Sequence, residues 1–95
     1  MKLKSVMQDD LSKCILTGSN EVAIHHVFPG KNRKKSEKYG FLVALRPDYH
    51  TGEHGLHNKP NQGLDLGLKQ IAQGYYEEHI GTREEFISEF GRSYL

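Results

Sequence analysis

The sequence predicts a small α+β domain in which two strands precede two helices. Two short runs of β-branched and aromatic residues, at positions 21–28 and 41–45, predict the strands. Apolar residues recur at helical spacing from residue 64 and again from residue 86, which predicts the helices. Because 95 residues can bury one modest hydrophobic core, we expect a single domain that covers residues 1–95.

The first predicted strand, residues 21–28, carries two adjacent histidines and ends at a Pro-Gly pair. Successive side chains of a strand point to opposite faces, so His25 and His26 lie on different faces or are separated by a bulge. The two histidines can therefore take different roles. The residues that follow, up to residue 38, read as a charged loop.

The second predicted strand, residues 41–45, is a short apolar run that ends at an Arg-Pro pair. Residues 48–63 are rich in Gly, Pro, His and Asn, which predicts a loop or a broken helix. On a continuous helix His50, His54 and His57 would share one face. The glycines and the proline of this segment disfavour such a helix.

The two predicted helices form the C-terminal part of the chain. The first covers residues 64–79, and the second opens with a capping box between Thr82 and Glu85. The apolar residues expected to face the core are Leu64, Leu68, Ile71, Ala72 and Tyr75 in the first helix and Phe86, Ile87 and Phe90 in the second.

Five of the six histidines lie in the two segments that flank the most basic run of the chain. Between residues 29 and 60, seven Lys or Arg stand against three Asp or Glu, although the net charge of the chain is only +1. Imidazole is the commonest metal ligand, and clustered histidines beside a cationic segment favour metal-assisted chemistry on a phosphate backbone. The residues expected to contact phosphates are Lys31, Arg33, Lys34, Lys35 and Lys38.

Five stretches of the chain carry a resemblance to a known family. They are His-His-Val-Phe at 25–28, Asn-Arg-Lys-Lys-Ser-Glu-Lys-Tyr-Gly at 32–40, His-x-Gly-x-x-Gly-x-His-Asn-Lys at 50–59, Leu-x-Leu-x-Leu-Lys-Gln at 64–70, and Arg-Glu-Glu-Phe-Ile with Phe-Gly within 83–91. Together they resemble the HNH (ββα-metal) endonuclease superfamily, in particular small phage and prophage HNH-type proteins related to a phage recombination-enhancement nuclease. The resemblance implies a ββα-metal (HNH-like) core with an additional C-terminal helix.

The resemblance also implies an activity, the metal-dependent hydrolysis of DNA phosphodiester bonds with 5′-phosphate and 3′-hydroxyl products. His26 would be the general base that deprotonates the attacking water. His25, His50 and His57 would hold one divalent metal ion, and His54 is a further candidate ligand that the family pattern does not require. The residues do not distinguish Mg, Mn, Ni and Zn as the ion.

The chain departs from the family pattern at the asparagine that orients the general base. That asparagine usually stands at the start of the second strand, where this chain has Gly40 and Phe41. Asn32 and Asn58 are the candidates for the role, and the alternative that no residue fills it stays open.

A second departure concerns a structural zinc. Relatives of this type commonly carry two Cys-x-x-Cys pairs, which would fall at positions 14 and 17 and at positions 46 and 49. Here these positions hold Cys14, Thr17, Arg46 and Tyr49. Because a lone thiolate does not make a tetrahedral zinc site, we expect no structural zinc.

These departures favour a second hypothesis, a catalytically inactive HNH-fold module of phage origin that binds nucleic acid or protein. The sequence shows neither a signal peptide nor a transmembrane run, so we expect a cytoplasmic protein, and the resemblance implies a phage or prophage protein in a bacterial host. Its expected partner is DNA, with no membrane contact. The residues leave open whether the chain is a monomer or a homodimer.

Overall fold

The chain adopts an α+β fold in which helices flank a two-stranded antiparallel sheet. A computed structural model describes residues 4–50 and 61–95, with the backbone alone at residues 49 and 50. In chain order the described elements are β1 (Ala23–His26), a 3₁₀ turn (Gly30–Asn32), α1 (Arg33–Tyr39), β2 (Leu42–Leu45), α2 (Pro47–His50), α3 (Gly63–His79) and α4 (Arg83–Phe90). The predicted α+β class is confirmed.

The sheet pairs β1 with β2, with Ala23 opposite Leu45 and His26 opposite Leu42. All residues of β2 are buried, as expected for a short apolar strand. The N-terminal segment covers the strand, because Gln8 accepts a hydrogen bond from the backbone amide of Ala44 (2.8 Å). Both predicted strands are confirmed, and each is shorter than its sequence pattern indicates.

The segment between the strands is helical, so the prediction of a charged loop was wrong. Lys, Arg and Glu are good helix formers, and a buried serine fastens the helix that they form to the sheet. The hydroxyl of Ser36 accepts from the amide of Phe28 (3.0 Å) and donates to its carbonyl (2.9 Å). The helix ends at Gly40, which adopts φ +78° and lies so close to the backbone of Val6 that a Cβ would be 3.0 Å from its nitrogen.

The short helix α2 follows β2 after one residue and lies against both strands. Two strands are thus followed directly by a helix that packs on them. None of the helices in the described ranges has the length and apolarity needed to cross a bilayer.

An aromatic cluster forms the centre of the core, around the ring of Phe28 just after β1. Its centroid lies 4.5 Å from that of Phe90 and 5.7 Å from that of Phe86, both on α4. The ring centroid of Phe41, the residue just before β2, lies 5.8 Å from that of Phe28, and the centroid of Tyr94 in the C-terminal segment lies 5.6 Å from it. The C-terminal part of the chain therefore packs on the end of the sheet that carries the two histidines.

The two C-terminal helices agree closely with the predicted bounds. The predicted capping box of α4 is confirmed, because Thr82 Oγ1 accepts from the amide of Glu85 (3.1 Å) and Glu85 Oε1 accepts from the amide of Thr82 (3.0 Å). The helix ends at Gly91, whose φ of +96° is in the left-handed region.

Two residues of the predicted apolar faces point to solvent instead. Ile71 is 61% exposed on α3, and Ile87 is 38% exposed on α4. The buried face of α3 includes polar side chains, and its members are Asp65, Leu68, Lys69, Ala72, Gln73 and Tyr76. Apolar periodicity alone misplaced this face, because it counted Ile71 as buried and did not include Asp65, Lys69 and Gln73.

Glu89 on α4 joins three helices through its carboxylate. Oε2 accepts hydrogen bonds from the hydroxyls of Tyr76 (2.6 Å) and Tyr39 (2.7 Å). Burial and the hydrogen bond to Glu89 raise the pKa of Tyr39 to about 12. Burial also acts to raise the pKa of Glu89, but the hydrogen bonds from Tyr76 and Tyr39 outweigh it, and the pKa lies below its ordinary value.

We expect this carboxylate to make the fold acid-sensitive. A carboxyl whose pKa is lower in the folded state contributes stability that is present above its ordinary pKa of 4.5 and is lost as the pH falls through the folded value. Glu89→Gln should lower the free energy of unfolding at pH 7 by about 1–3 kcal/mol and weaken its dependence on acid. Urea denaturation at several pH values measures both effects. Glu84→Gln, an exposed residue of the same helix, is the matched control, and an equal loss in this control would contradict the prediction.

Candidate active site

His26 ends β1 and faces α1, with its side chain 12% exposed. Its Nε2 lies 2.9 Å from Glu37 Oε2 and 3.4 Å from Arg33 Nε. One ring nitrogen cannot donate and accept at the same time, and the shorter contact is the one with the carboxylate. We therefore infer that Nε2 carries the proton and donates it to Glu37. In the neutral ring, this leaves Nδ1 as the nitrogen that can take a proton.

Glu37 is a site residue that the sequence reasoning missed. It stands inside the basic run of residues 31–38, where a single acid gives no signal of its own. On a helix, however, it lies one turn after Arg33, and the guanidinium Nε is 3.8 Å from its Oε2. A carboxylate on the protonated nitrogen of an imidazole holds the ring in one orientation and stabilises the imidazolium that forms on proton uptake.

Asn32, the predicted partner of the general base, makes its observed hydrogen bond elsewhere. Its Nδ2 donates to the carbonyl of Phe90 at 3.3 Å, which ties the start of α1 to the end of α4. Asn58, the other candidate, lies outside the described residues. Among the described contacts, Glu37 is the residue placed to orient His26, and the role of Asn32 stays a prediction.

His25 faces the other side of β1, as strand alternation predicts, and contacts α3 rather than α1. The residue is 1% exposed, and its Nε2 lies 3.9 Å from Asp65 Oδ1. Asp65 is itself only 4% exposed and sits in the first turn of α3. The two adjacent histidines therefore have different surroundings, one buried beside a carboxylate and the other near the surface beside α1.

Asp65 belongs to a buried polar cluster that includes an ammonium group. Its Oδ2 lies 2.9 Å from Lys69 Nζ and accepts from the backbone amide of Asn61 at 2.6 Å. Lys69 is 6% exposed and also donates to Asn61 Oδ1 at 2.8 Å. A buried ion pair needs hydrogen-bond partners for its polar atoms, and Asn61 supplies one to Asp65 Oδ2 and one to Lys69 Nζ. Asn61 adopts φ +59°, which asparagine tolerates better than most residues.

Most of the predicted metal ligands are not covered by the described side chains. His25 is described in full, whereas His50 is described in its backbone only, as the last residue of α2. His54 and His57 lie outside the described residues. Within the described ranges, no group of three or more His, Cys, Asp or Glu side chains is placed to hold a metal ion. The predicted ligand set therefore stays a prediction.

The predicted phosphate contacts divide into two groups on the structure. The exposed residues are Lys31, Arg33, Lys34 and Lys38. Lys34 and Lys38 lie one helical turn apart on α1 and form an exposed basic edge. Lys35 is partly buried, donates to the carbonyl of Glu89 and lies 5.9 Å from the centroid of the Phe90 ring. Its described contacts are therefore with α4.

Three of the four positions at which the resemblance implies zinc ligands lie close together around Cys14, which is 3% exposed. Its Sγ accepts from the backbone amide of Arg46 at 3.3 Å, and the neighbouring Ile15 amide donates to the carbonyl of Ala44 at 2.9 Å. Burial acts to raise the pKa of the thiol, but hydrogen bonds from Thr17 and from backbone amides outweigh it and lower the pKa to about 7. Cys14, Thr17 and Arg46 thus converge, and the side chain of Tyr49 lies outside the described part of the chain.

Comparison of the chain with protein-family models, with curated protein sequences and with solved structures finds no match. The resemblance to HNH endonucleases therefore stays a prediction from the residue pattern. The structure adds the contacts of the two adjacent histidines, His26 with Glu37 and His25 with Asp65.

Proposed function

We propose that this chain is a metal-dependent HNH-type endonuclease that hydrolyses DNA phosphodiester bonds. The observation that carries the proposal is the 2.9 Å contact between His26 Nε2 and Glu37, on the helix that also presents exposed basic side chains. A base that is oriented by a carboxylate and flanked by cations suits the hydrolysis of an anionic backbone. The protein would be encoded by a phage or prophage and would act on DNA in the cytoplasm of the bacterial host.

His26 acts as the general base in this proposal. With Nε2–H donated to Glu37, Nδ1 takes the proton of the attacking water, and the carboxylate stabilises the resulting imidazolium. Arg33 lies beside Glu37, with its guanidinium Nε 3.8 Å from the carboxylate Oε2. Glu37 thereby takes over the orienting role that asparagine has in relatives.

His25 is the metal ligand for which the structure describes the side chain. A buried imidazole with a carboxylate oxygen 3.9 Å from its Nε2 gives surroundings that favour a divalent cation, so the residues present fit a metal ion. His50 and His57 would complete the set, with His54 as a further candidate. The bound ion would stabilise charge on the phosphate and on the leaving oxygen.

The basic edge of α1 supplies the expected DNA contact. Lys34 and Lys38 are exposed on the same helix that carries Glu37, so a phosphate backbone bound along α1 would pass close to His26. Contacts of this kind give affinity without reading the base sequence. This surface supports a nuclease of low sequence preference.

Two features of the fold support the ββα-metal assignment. The strands β1 and β2 are followed by the one-turn helix α2, which lies against both, and then by the longer helices α3 and α4. Cys14, Thr17 and Arg46 converge at the place where relatives bind zinc. The second feature is the more specific, because residues 14 and 46 are distant in sequence.

A supercoiled-plasmid nicking assay tests the proposal. The protein should convert supercoiled to relaxed DNA with Mn²⁺, Mg²⁺, Ni²⁺ or Zn²⁺ and should lose this activity in EDTA. End-labelling of the product should reveal 5′-phosphates. DNA binding that persists in EDTA, with no nicking under any of the four ions, would favour the inactive binding module instead.

A further inference from the structure

We propose that Asp65 is a ligand of the divalent metal and binds it together with His25. The inference rests on the proposed function, since it concerns the same metal. It adds a residue from α3, an element to which the sequence pattern assigned only a packing role. The two carboxylate oxygens of Asp65 have different surroundings.

Oδ2 is already engaged inside the protein. It pairs with Lys69 Nζ at 2.9 Å and accepts from the amide of Asn61 at 2.6 Å. A cation at this oxygen would meet the ammonium of Lys69 directly and be repelled. Oδ1, in contrast, is the oxygen that faces His25. The arrangement therefore leaves one oxygen, with a defined direction, for a metal ion.

The distance between the two donor atoms fits a shared ion better than a hydrogen bond. His25 Nε2 and Asp65 Oδ1 are 3.9 Å apart, whereas N–H···O bonds lie at about 2.7–3.2 Å. Imidazole nitrogens and carboxylate oxygens bind Zn²⁺ at about 2.0–2.2 Å, so two ligands of one tetrahedral ion are about 3.3–3.6 Å apart. The observed separation lies above the hydrogen-bond range and a few tenths of an ångström above this value, so a small approach of the two side chains would let them share an ion.

Lys69 and Asn61 act as positioning residues in this proposal. The ammonium of Lys69 and the backbone amide of Asn61 both contact Asp65 Oδ2, and Lys69 Nζ donates to Asn61 Oδ1 at 2.8 Å. They fix the rotamer of Asp65 with Oδ1 towards His25 before any ion arrives. Outer partners of this kind are typical of protein metal sites, in which ligand carboxylates are themselves hydrogen-bonded.

Calorimetric titration of the purified full chain with Zn²⁺ and Co²⁺ chloride tests the inference. We expect Asp65→Asn to weaken the affinity for both ions by at least about 10-fold. The Co²⁺ absorption bands should also change, because an oxygen donor is lost. Asp10→Asn, an exposed aspartate of the N-terminal segment, is the matched control and should bind as the wild type does.

A purely structural role for Asp65 predicts a different result. The variants Asp65→Asn and Lys69→Met would then both lower the melting temperature of the metal-free protein and leave metal affinity unchanged, which would overturn the inference. If Asp65→Asn does not fold, Asp65→Glu replaces it. This variant keeps the carboxylate but lengthens the side chain, and an unaltered Co²⁺ spectrum would equally overturn the inference.

The plasmid assay separates this inference from the proposed function. If the wild-type protein nicks DNA and the variant Asp65→Asn keeps full metal affinity, the proposed role of Asp65 is overturned and the proposed function is not. Metal binding that depends on Asp65, in a wild type that cleaves no DNA, would support the metal site and overturn the nuclease. A wild type that binds neither ion would overturn both.

Discussion

His26→Ala should lower the rate of metal-dependent plasmid nicking by about 10²–10⁴-fold, the range expected when a general base is removed. The side chain is 12% exposed, and its ring contacts are with Glu37 and Arg33 at the surface, so its loss should leave the core intact. Initial rates of conversion from supercoiled to relaxed plasmid measure the effect. Titration with Zn²⁺ should give the wild-type affinity, because the proposed ligand is His25.

Two further variants make this result specific to the geometry of His26. Glu37→Gln keeps a hydrogen-bond acceptor near Nε2 but removes the negative charge, so we expect a smaller loss than for His26→Ala, with unchanged DNA affinity. His79→Ala removes an exposed histidine at the end of α3 and should leave the rate unaffected. Full activity in His26→Ala would show that the assignment of the base is wrong.

The elements that local patterns encode were predictable from the sequence. The capping box at Thr82, the left-handed glycine after α4 and the two strands depend on neighbouring residues, and all are observed. The helix α1 was not predictable in this way, because its seven residues have no apolar stripe. Its position depends on the buried hydroxyl of Ser36, whose partner Phe28 belongs to the preceding strand segment.

The candidate site shows the same division between local and distant information. Alternation along a strand was enough to separate the roles of His25 and His26. The contact of Glu37 with His26 was missed because a residue in a predicted loop gives no reason to expect a strand residue as its partner. The segment is instead a helix, and this helix places Glu37 beside His26. Asp65 was hidden because an aspartate on an amphipathic helix normally faces solvent. Only the packing of α3 against β1 buries this carboxylate beside an imidazole.

The residues around Cys14 show which contacts join the positions where HNH-type proteins would bind a zinc ion if the proposed assignment holds. The segments that contain residues 14 and 46 are joined by the Cys14 Sγ contact with the Arg46 amide and by the backbone bond from Ile15 to Ala44. These two hydrogen bonds and the burial of Cys14 therefore hold the two segments together. On the proposed assignment, a structural zinc ion would bridge the same segments. On the proposed assignment, positions 14, 17, 46 and 49 keep the sequence spacing that a site of four thiolates requires.

We therefore expect the combined variant Thr17→Cys, Arg46→Cys and Tyr49→Cys to bind one Zn²⁺ through four thiolates, with Cys14 as the fourth. Free zinc at about 1,000 times the dissociation constant would raise the free energy of unfolding by about 4 kcal/mol. Loss of the bidentate contact between Arg46 and Asp48 should cost about 1 kcal/mol, since the two side chains are partly exposed, at 43% and 39%. Thermal melts with and without zinc, and Co²⁺ charge-transfer absorption, measure the gain.

The same variant with Cys14→Ser is the matched control and should lose most of the zinc-dependent stabilisation, because three thiolates leave one coordination position to water. If the four-cysteine variant binds no more zinc than this control, positions 14, 17, 46 and 49 do not form a common site. The strongest long-range support for the ββα-metal assignment would then be lost. A zinc-dependent rise in stability would instead show that positions 14, 17, 46 and 49 form one site beside the strands that carry and pair with His25 and His26. This result would support the ββα-metal assignment independently of any test of activity.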